Sequence, residues 1–157
     1  MRVAPDAYFM LRTAGKVRHC FREVDRSTEE LDRLKRKYVN YWWYLQSPEF
    51  VEALQPGDAV VVLFVTTGET RMRNMMAALE RLKKPNRARH AKRGLFWFCT
   101  DGDYALEDPV SVLRAIWRAV GVDAGARRTL GAGAIRAGAT PPGHGLAPHP
   151  TLQPGGR

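Results

Sequence analysis

Five side chains in the first quarter of the chain carry the clearest chemistry: Asp6, Glu23, Asp25, Lys37 and Tyr41. Asp6 opens the strand-like stretch Pro5-Asp6-Ala7-Tyr8-Phe9, and Glu23 and Asp25 lie two apart in Phe21-Arg22-Glu23-Val24-Asp25. Side chains alternate across a strand, so Glu23 and Asp25 point to the same face. Hard oxygen ligands from neighbouring strands suit a divalent cation such as magnesium. Asp6, Glu23 and Asp25 are therefore the expected metal ligands. Lys37 is the cation expected to position a water or balance charge on a phosphate. A metal held in this way polarises a phosphodiester and lowers the pKa of attacking water. The spacing leaves a structural reading open beside this one. In it Asp6 caps a turn, Asp25 and Ser27 compete to cap the next helix, and Glu23 pairs with Arg12 or Lys37.

The elements that must position these residues follow from hydropathy and turn signals. Asp6–Arg12 and Val17–Asp25 read as two strands joined by Thr13-Ala14-Gly15-Lys16, a hairpin. Val17, His19, Phe21, Glu23 and Asp25 then share a face. Its apolar part ends in two acids, which must find a metal, a cation or a hydrogen-bond donor because desolvating them unpaired is too costly. Ser27 with Glu30 forms a capping-box pattern, predicting a helix from about Thr28. Leu31, Leu34, Tyr38, Trp42 and Leu45 mark its buried stripe, with Lys37 and Tyr41 four residues apart on the flank. Ser47-Pro48 stops it, and a short helical turn over 48–54 precedes Ala59–Val65, an apolar run expected to be a central strand. Glu69–Leu82 has helical spacing with Met72, Met75, Met76, Leu79 and Leu82 inward. Leu95–Cys99 reads as a buried strand, Asp101-Gly102-Asp103 as a turn. Asp108-Pro109 should begin a last helix with Val112, Leu113, Ile116, Trp117 and Val120 facing inward and Gly121 ending it. The order of hairpin, helix, strand, helix, strand, helix predicts an α/β (α+β) mixed sheet with helices packed on it. The domain is expected to occupy 1–121. Residues 122–157, rich in Gly, Ala, Pro and Arg without apolar periodicity, are expected to be a disordered tail.

The 157 residues suffice for one domain with a core. A formal charge of +9 and a pI near 10.1 point to a polyanionic partner, nucleic acid ahead of a membrane surface, with solubility or genomic base bias as the plainer source of the charge. No apolar run reaches the roughly 18 residues of a membrane span, and the first residues lack a signal peptide's apolar stretch. Cys20 and Cys99 sit inside apolar runs and read as small buried hydrophobes in a reducing cytoplasm. Between residues 71 and 93 nine cations face one acid, Glu80. Arg71, Arg73, Arg81, Lys83, Lys84, Arg87, Arg89, Lys92 and Arg93 are thus the candidate DNA contacts. Their density without a base-reading pattern suits phosphate binding, and a solvated helix face is the plainer alternative. Tyr41, Trp42, Trp43 and Tyr44 encircle their helix, so at least two are exposed or meet a partner. Trp42 is the expected core residue. Trp43 belongs to a core or interface, with stacking on a base as the other reading. His19 and His90 have no partners at ligand spacing.

Pro5-Asp6-Ala7-Tyr8-Phe9, Phe21-Arg22-Glu23-Val24-Asp25-Arg26-Ser27-Thr28-Glu29, Lys37 and Tyr41 together resemble the core of the bacterial replication-relaxation family. The resemblance covers residues 3 to 100 or so, and Glu-Val-Asp-Arg followed by Lys-(three residues)-Tyr is its most specific part. That family, found on plasmids and other mobile elements and in actinobacterial genomes, looks like a divergent branch of the PD-(D/E)xK, restriction-endonuclease-like nuclease fold. The resemblance implies that Asp6 takes the place of the motif's first acid and Glu23 of its second. The motif's lysine position, two residues after the second acid, holds Asp25 here, and Lys37 on the following helix is the migrated substitute. Family members carry a winged-helix domain before this core. That domain and the helix and strand before the Pro-Asp strand have no counterpart here, so the chain reads as a C-terminal fragment with an exposed sheet edge, open to pairing with another copy. Two functions follow as expectations. One is a magnesium-dependent endodeoxyribonuclease-like protein of plasmid or mobile-element replication or DNA relaxation. The other is a catalytically inactive module that binds DNA or docks a replication protein.

Overall fold

The computed structural model describes residues 3–13, 15–82, 93–120, 126–131 and 134–137. The N-terminal hairpin forms as its alternation predicts. β1 (Ala7–Thr13) and β2 (Lys16–Asp25) pair antiparallel, from Ala7 opposite Arg22 to Thr13 opposite Lys16. Gly15 turns the chain at φ 78°, a conformation that its missing Cβ permits. β2 runs on to α1 (Leu31–Tyr44) and α2 (Pro48–Glu52), the latter capped by Ser47, whose hydroxyl accepts from the Phe50 amide at 3.3 Å. The chain then enters β3 (Ala59–Thr66), α3 (Glu69–Glu80) and β4 (Phe96–Thr100). β2, β3 and β4 are parallel neighbours, which the intervening helices make possible by carrying the chain back along one face. The architecture is α/β, a mixed sheet with helices packed on it.

β3 is buried on both faces from Val61 to Thr66, as its unbroken apolar run requires. On one face Leu34, Tyr38 and Tyr41 of α1 and Met72 and Met75 of α3 pack on Phe21, Val62, Phe64, Phe96 and Phe98. On the other, Cys20, Val61, Leu63, Val65, Trp97 and Cys99 pack with Leu113, Ile116, Trp117 and Leu130. Each such side chain, fully buried, is worth about 1.5–3 kcal/mol relative to leaving it in water. Both cysteines are free and buried, and burial pushes the Cys20 thiol up to about 12.

The structure departs from the sequence expectations at four places. First, α1 begins at Leu31 rather than near Thr28, with Glu30 at the cap position and no side-chain capping bond. Ser27 instead takes φ 62°, a left-handed conformation, and its hydroxyl meets that of Thr67 at 2.5 Å, so it ties the end of β2 to the β3–α3 turn. Second, the expected last helix is a 3₁₀ turn over Pro109–Leu113 followed by a strand, β5 (Ala115–Ala119), antiparallel to β4. The apolar run fits both periods, and its pairing with β4 gives the backbone the hydrogen bonds that a helix would have supplied internally. The Asp108 carboxylate makes no cap and bonds Arg114 at 2.8 Å.

Third, two strands lie where the sequence predicts a disordered tail: β6 (Arg127–Thr129) beside β5, and β7 (Ala134–Ala137) beside β1. Among the described residues the sheet has seven strands in the order β6-β5-β4-β3-β2-β1-β7. β7 therefore covers the β1 edge that the sequence leaves open, pairing Phe9 with Ala137 through Arg12 with Ala134. Residues 138–157 lie outside the described residues. Fourth, the buried face of α1 is Leu34, Tyr38, Tyr41 and Tyr44, so Trp42 is only half-buried and Tyr41 moves from flank to core.

Candidate functional site

Glu23 is the centre of the site. It stands near the end of β2, facing α1, and is only 3% exposed. Lys37 and Tyr41, one helical turn apart, present side chains to the same spot. The Lys37 ammonium donates to Oε2 of Glu23 at 2.8 Å, and the Tyr41 hydroxyl donates to Oε1 at 2.5 Å. Lys37 also lies 3.3 Å from Glu29. Burial works to lower the Lys37 pKa, but the hydrogen bond and charge of Glu23, with Glu29 beyond, outweigh it and raise the pKa. Burial together with the Glu23 charge pushes the Tyr41 phenol upward, so it stays protonated and remains a donor. Asp6 sits just before β1, across from the end of β2, and its Oδ2 accepts from the Val24 amide at 2.7 Å. Its carboxylate is exposed.

Asp25 is a separate assembly. Its carboxylate takes a two-pronged bond from Arg71, at 2.8 Å from Nε and 3.0 Å from a terminal nitrogen, plus the Thr66 hydroxyl at 3.0 Å. Arg71 also donates to the Glu29 carbonyl. Burial works to raise the Asp25 pKa, yet the Arg71 and Thr66 bonds and the Arg71 charge hold it below the usual carboxylate range. Asp25 does not cap α1. Among the described residues no three His, Cys, Asp or Glu side chains are placed to share a metal ion.

Asp6, Glu23, Lys37 and Tyr41 line one open groove of about 660 Å³. Asp25 does not line it. Arg33, Lys35, Arg36 and Asn40 of α1 complete the rim beside Val39 and Leu82. The groove thus sets four cations against two carboxylates. As a donor set for magnesium, two carboxylates fit the way that ion is held when substrate phosphate and water supply its other ligands; they do not form an all-protein cage.

No family model, curated protein or solved structure matches the chain.

The cation-rich stretch divides when placed on the fold. Arg71 is committed to Asp25. Arg73 is exposed and within 3.4 Å of Glu69, and Arg81 is exposed at the end of α3. Lys83, Lys84, Arg87, Arg89 and Lys92 lie outside the described residues, as does the side chain of Arg93. No described helix is long and apolar enough to cross a membrane.

Two features escape a reading by motif. Arg33, Arg36 and Asn40 belong to the groove, and the signal for them is helical spacing: 33, 36, 37, 40 and 41 fall on adjoining rows of one helix. His19 is the other. Its Nδ1 meets the Tyr8 hydroxyl at 2.6 Å and its Nε2 meets Asp58 at 3.1 Å, linking the hairpin to the turn before β3. Burial, with Tyr44, Cys20 and Asp58 adding, pushes the Tyr8 hydroxyl up to about 12. Asp58 also accepts from the Gln55 amide at 3.0 Å. This network satisfies buried polar atoms that would otherwise be costly.

Proposed function

We propose that the chain is a DNA-binding, nuclease-like domain serving replication or relaxation of a plasmid or other mobile element, with phosphodiester hydrolysis in the groove. The observation that carries the reading is the meeting of Asp6, Glu23, Lys37 and Tyr41 in one groove rimmed by Arg33 and Arg36. The resemblance of these residues to the replication-relaxation core supports it. Asp6 and Glu23 are the residues that would hold magnesium; bound there, the ion would supply positive charge to the phosphodiester and lower the pKa of the attacking water. Tyr41 fixes one oxygen of Glu23, so the carboxylate has a set orientation. Lys37 is held between Glu23 and Glu29, and the third N–H of its ammonium would face a substrate phosphate and balance charge there. Arg33 and Arg36 would hold flanking phosphates.

Incubation of supercoiled DNA with the purified chain and magnesium or manganese tests this reading. Cleavage that requires the ion and disappears in Asp6→Ala and Glu23→Gln, both still folded, is the expected result. Unchanged cleavage in either variant sinks the assignment.

A specific observation favours a second reading, a catalytically inactive module that binds DNA or docks a replication partner. Both Glu23 oxygens already have donors, and Asp25, in the motif's lysine position, is locked to Arg71. That reading predicts salt-sensitive binding that persists without magnesium and in Asp6→Ala, with no cleavage by the native chain.

A further inference from the structure

The outward face of α1 adds an element that the groove's chemistry does not use. Trp43 is 48% exposed, a high value for the costliest side chain to leave in water. Val39, one turn earlier, is also exposed, and Val39 and Asn40 line the groove. Residues three and four apart on a helix are neighbours, so the indole stands beside the groove wall. Arg36 lies one turn before Asn40 and two turns before Trp43 on the same side. Arg33, Lys35 and Lys37 have Glu29, Asp32 or Glu23 within ion-pair distance; among the described residues Arg36 has no carboxylate within that distance. The face therefore presents a cation and a flat aromatic surface in series, leading into a groove where cations outnumber carboxylates.

We propose that this face binds single-stranded DNA, with Trp43 stacking on an unpaired base and Arg36 holding the adjoining phosphate. The inference rests on the reading of the groove as a DNA site and narrows it to a strand state. Charge complementarity selects a polyanion. The exposed indole selects among polyanions, because in a duplex the base faces are already stacked on one another and only an unpaired base can lie on Trp43. A duplex could meet Arg36 through its phosphates but would gain nothing from the indole. Strand separation near an origin or a nick would supply this ligand, and the groove would then receive the phosphodiester that follows the stacked base.

Fluorescence anisotropy with a labelled oligonucleotide, single-stranded and as the duplex of the same sequence, tests the inference on the full chain without divalent ions. The single strand should bind more tightly. Trp43→Ala should weaken single-strand binding by roughly fivefold to a hundredfold, the range carried by one base–aromatic stack, and leave duplex binding unchanged. Trp43→Phe should restore most of the loss, and an unchanged melting temperature shows that the surface variants fold. Equal binding of both forms, or a Trp43→Ala effect that is absent or the same for both, overturns the proposal while leaving the groove as a DNA site. No binding of either form overturns both.

Discussion

At the scale of single residues, the fold separates acids that lie close together in sequence. Glu23 and Asp25 share a face of β2, as alternation requires, yet Glu23 meets α1 and Asp25 meets α3. Strand periodicity gives the direction of a side chain; which helix lies over it depends on the crossover, and two residues along a strand are enough to change the partner. The Glu23–Lys37 pairing was legible as one of the open alternatives. The Asp25–Arg71 pairing was not, because the partners are 46 positions apart and Arg71 sits in a stretch whose density of cations suggests solvent or DNA. This pair has a pH signature. The folded Asp25 pKa is lowered, so its contribution is fully present above the unfolded value, about 3.9, and is lost as pH falls through the folded value. Asp25→Asn removes that linkage and strands the Arg71 charge in a part-buried position. At pH 7 the variant should be less stable by about 3–5 kcal/mol, the usual cost of breaking a buried pair. Below about pH 4 the gap to the native chain should shrink, since the unfolded native chain then takes up a proton at Asp25 that the folded, Arg71-paired carboxylate resists. Urea unfolding of both chains at pH 7 and pH 3 checks this; a gap independent of pH would mean that the pair contributes no linkage. The other carboxylates titrate in both chains and cancel from the comparison.

At the scale of elements, the central β2-α1-β3-α3-β4 unit was readable because each piece carries a strong pattern: unbroken apolar strands, a periodic helix, a proline or glycine stop. The periphery was not. The run from Val112 to Val120 is apolar at spacings that satisfy a helix and a strand alike, and the decision belongs to β4, which offers an edge with unpaired backbone groups at Trp97 and Phe98. β7 shows the same dependence more sharply. Ala134-Ile135-Arg136-Ala137 has little intrinsic strand character, and its pairing with β1 comes from the open edge it completes. An edge without such cover is a template for another chain. A chain ending after Ala137 should therefore self-associate no more than the full chain, whereas one ending after Gly131 should self-associate through β1. Light scattering across a concentration series distinguishes them, and two equally monomeric truncations would show that β1 needs no cover. The comparison also isolates β7 from residues 138–157, which both shortened chains lack.

At the scale of the whole molecule, the charge of +9 suits a polyanionic partner without saying where one would bind. The cations concentrate between residues 71 and 93 in sequence, but the folded chain gives them unequal roles. Arg71 is committed to Asp25, and Arg73 lies beside Glu69, which Arg118 also engages. At the groove Arg33, Lys35 and Lys37 share Glu29, Asp32 and Glu23, whereas Arg36 has no carboxylate within ion-pair distance among the described residues. Salt dependence converts this difference into a number. For a single strand, each phosphate neutralised adds about 0.7 to the slope of log affinity against log salt concentration. Replacing Arg33 and Arg36 together by alanine should flatten the slope by about 1.4, two phosphate contacts' worth. Replacing Arg73 should leave it nearly unchanged, because that side chain stands on α3 and does not line the groove. Anisotropy titrations over a range of potassium chloride concentrations provide the slopes. Equal flattening by the α1 pair and by Arg73 would place the strand across both helices. Flattening by Arg73 and not by the α1 pair would move the DNA path off the groove and take the phosphodiester away from Asp6 and Glu23.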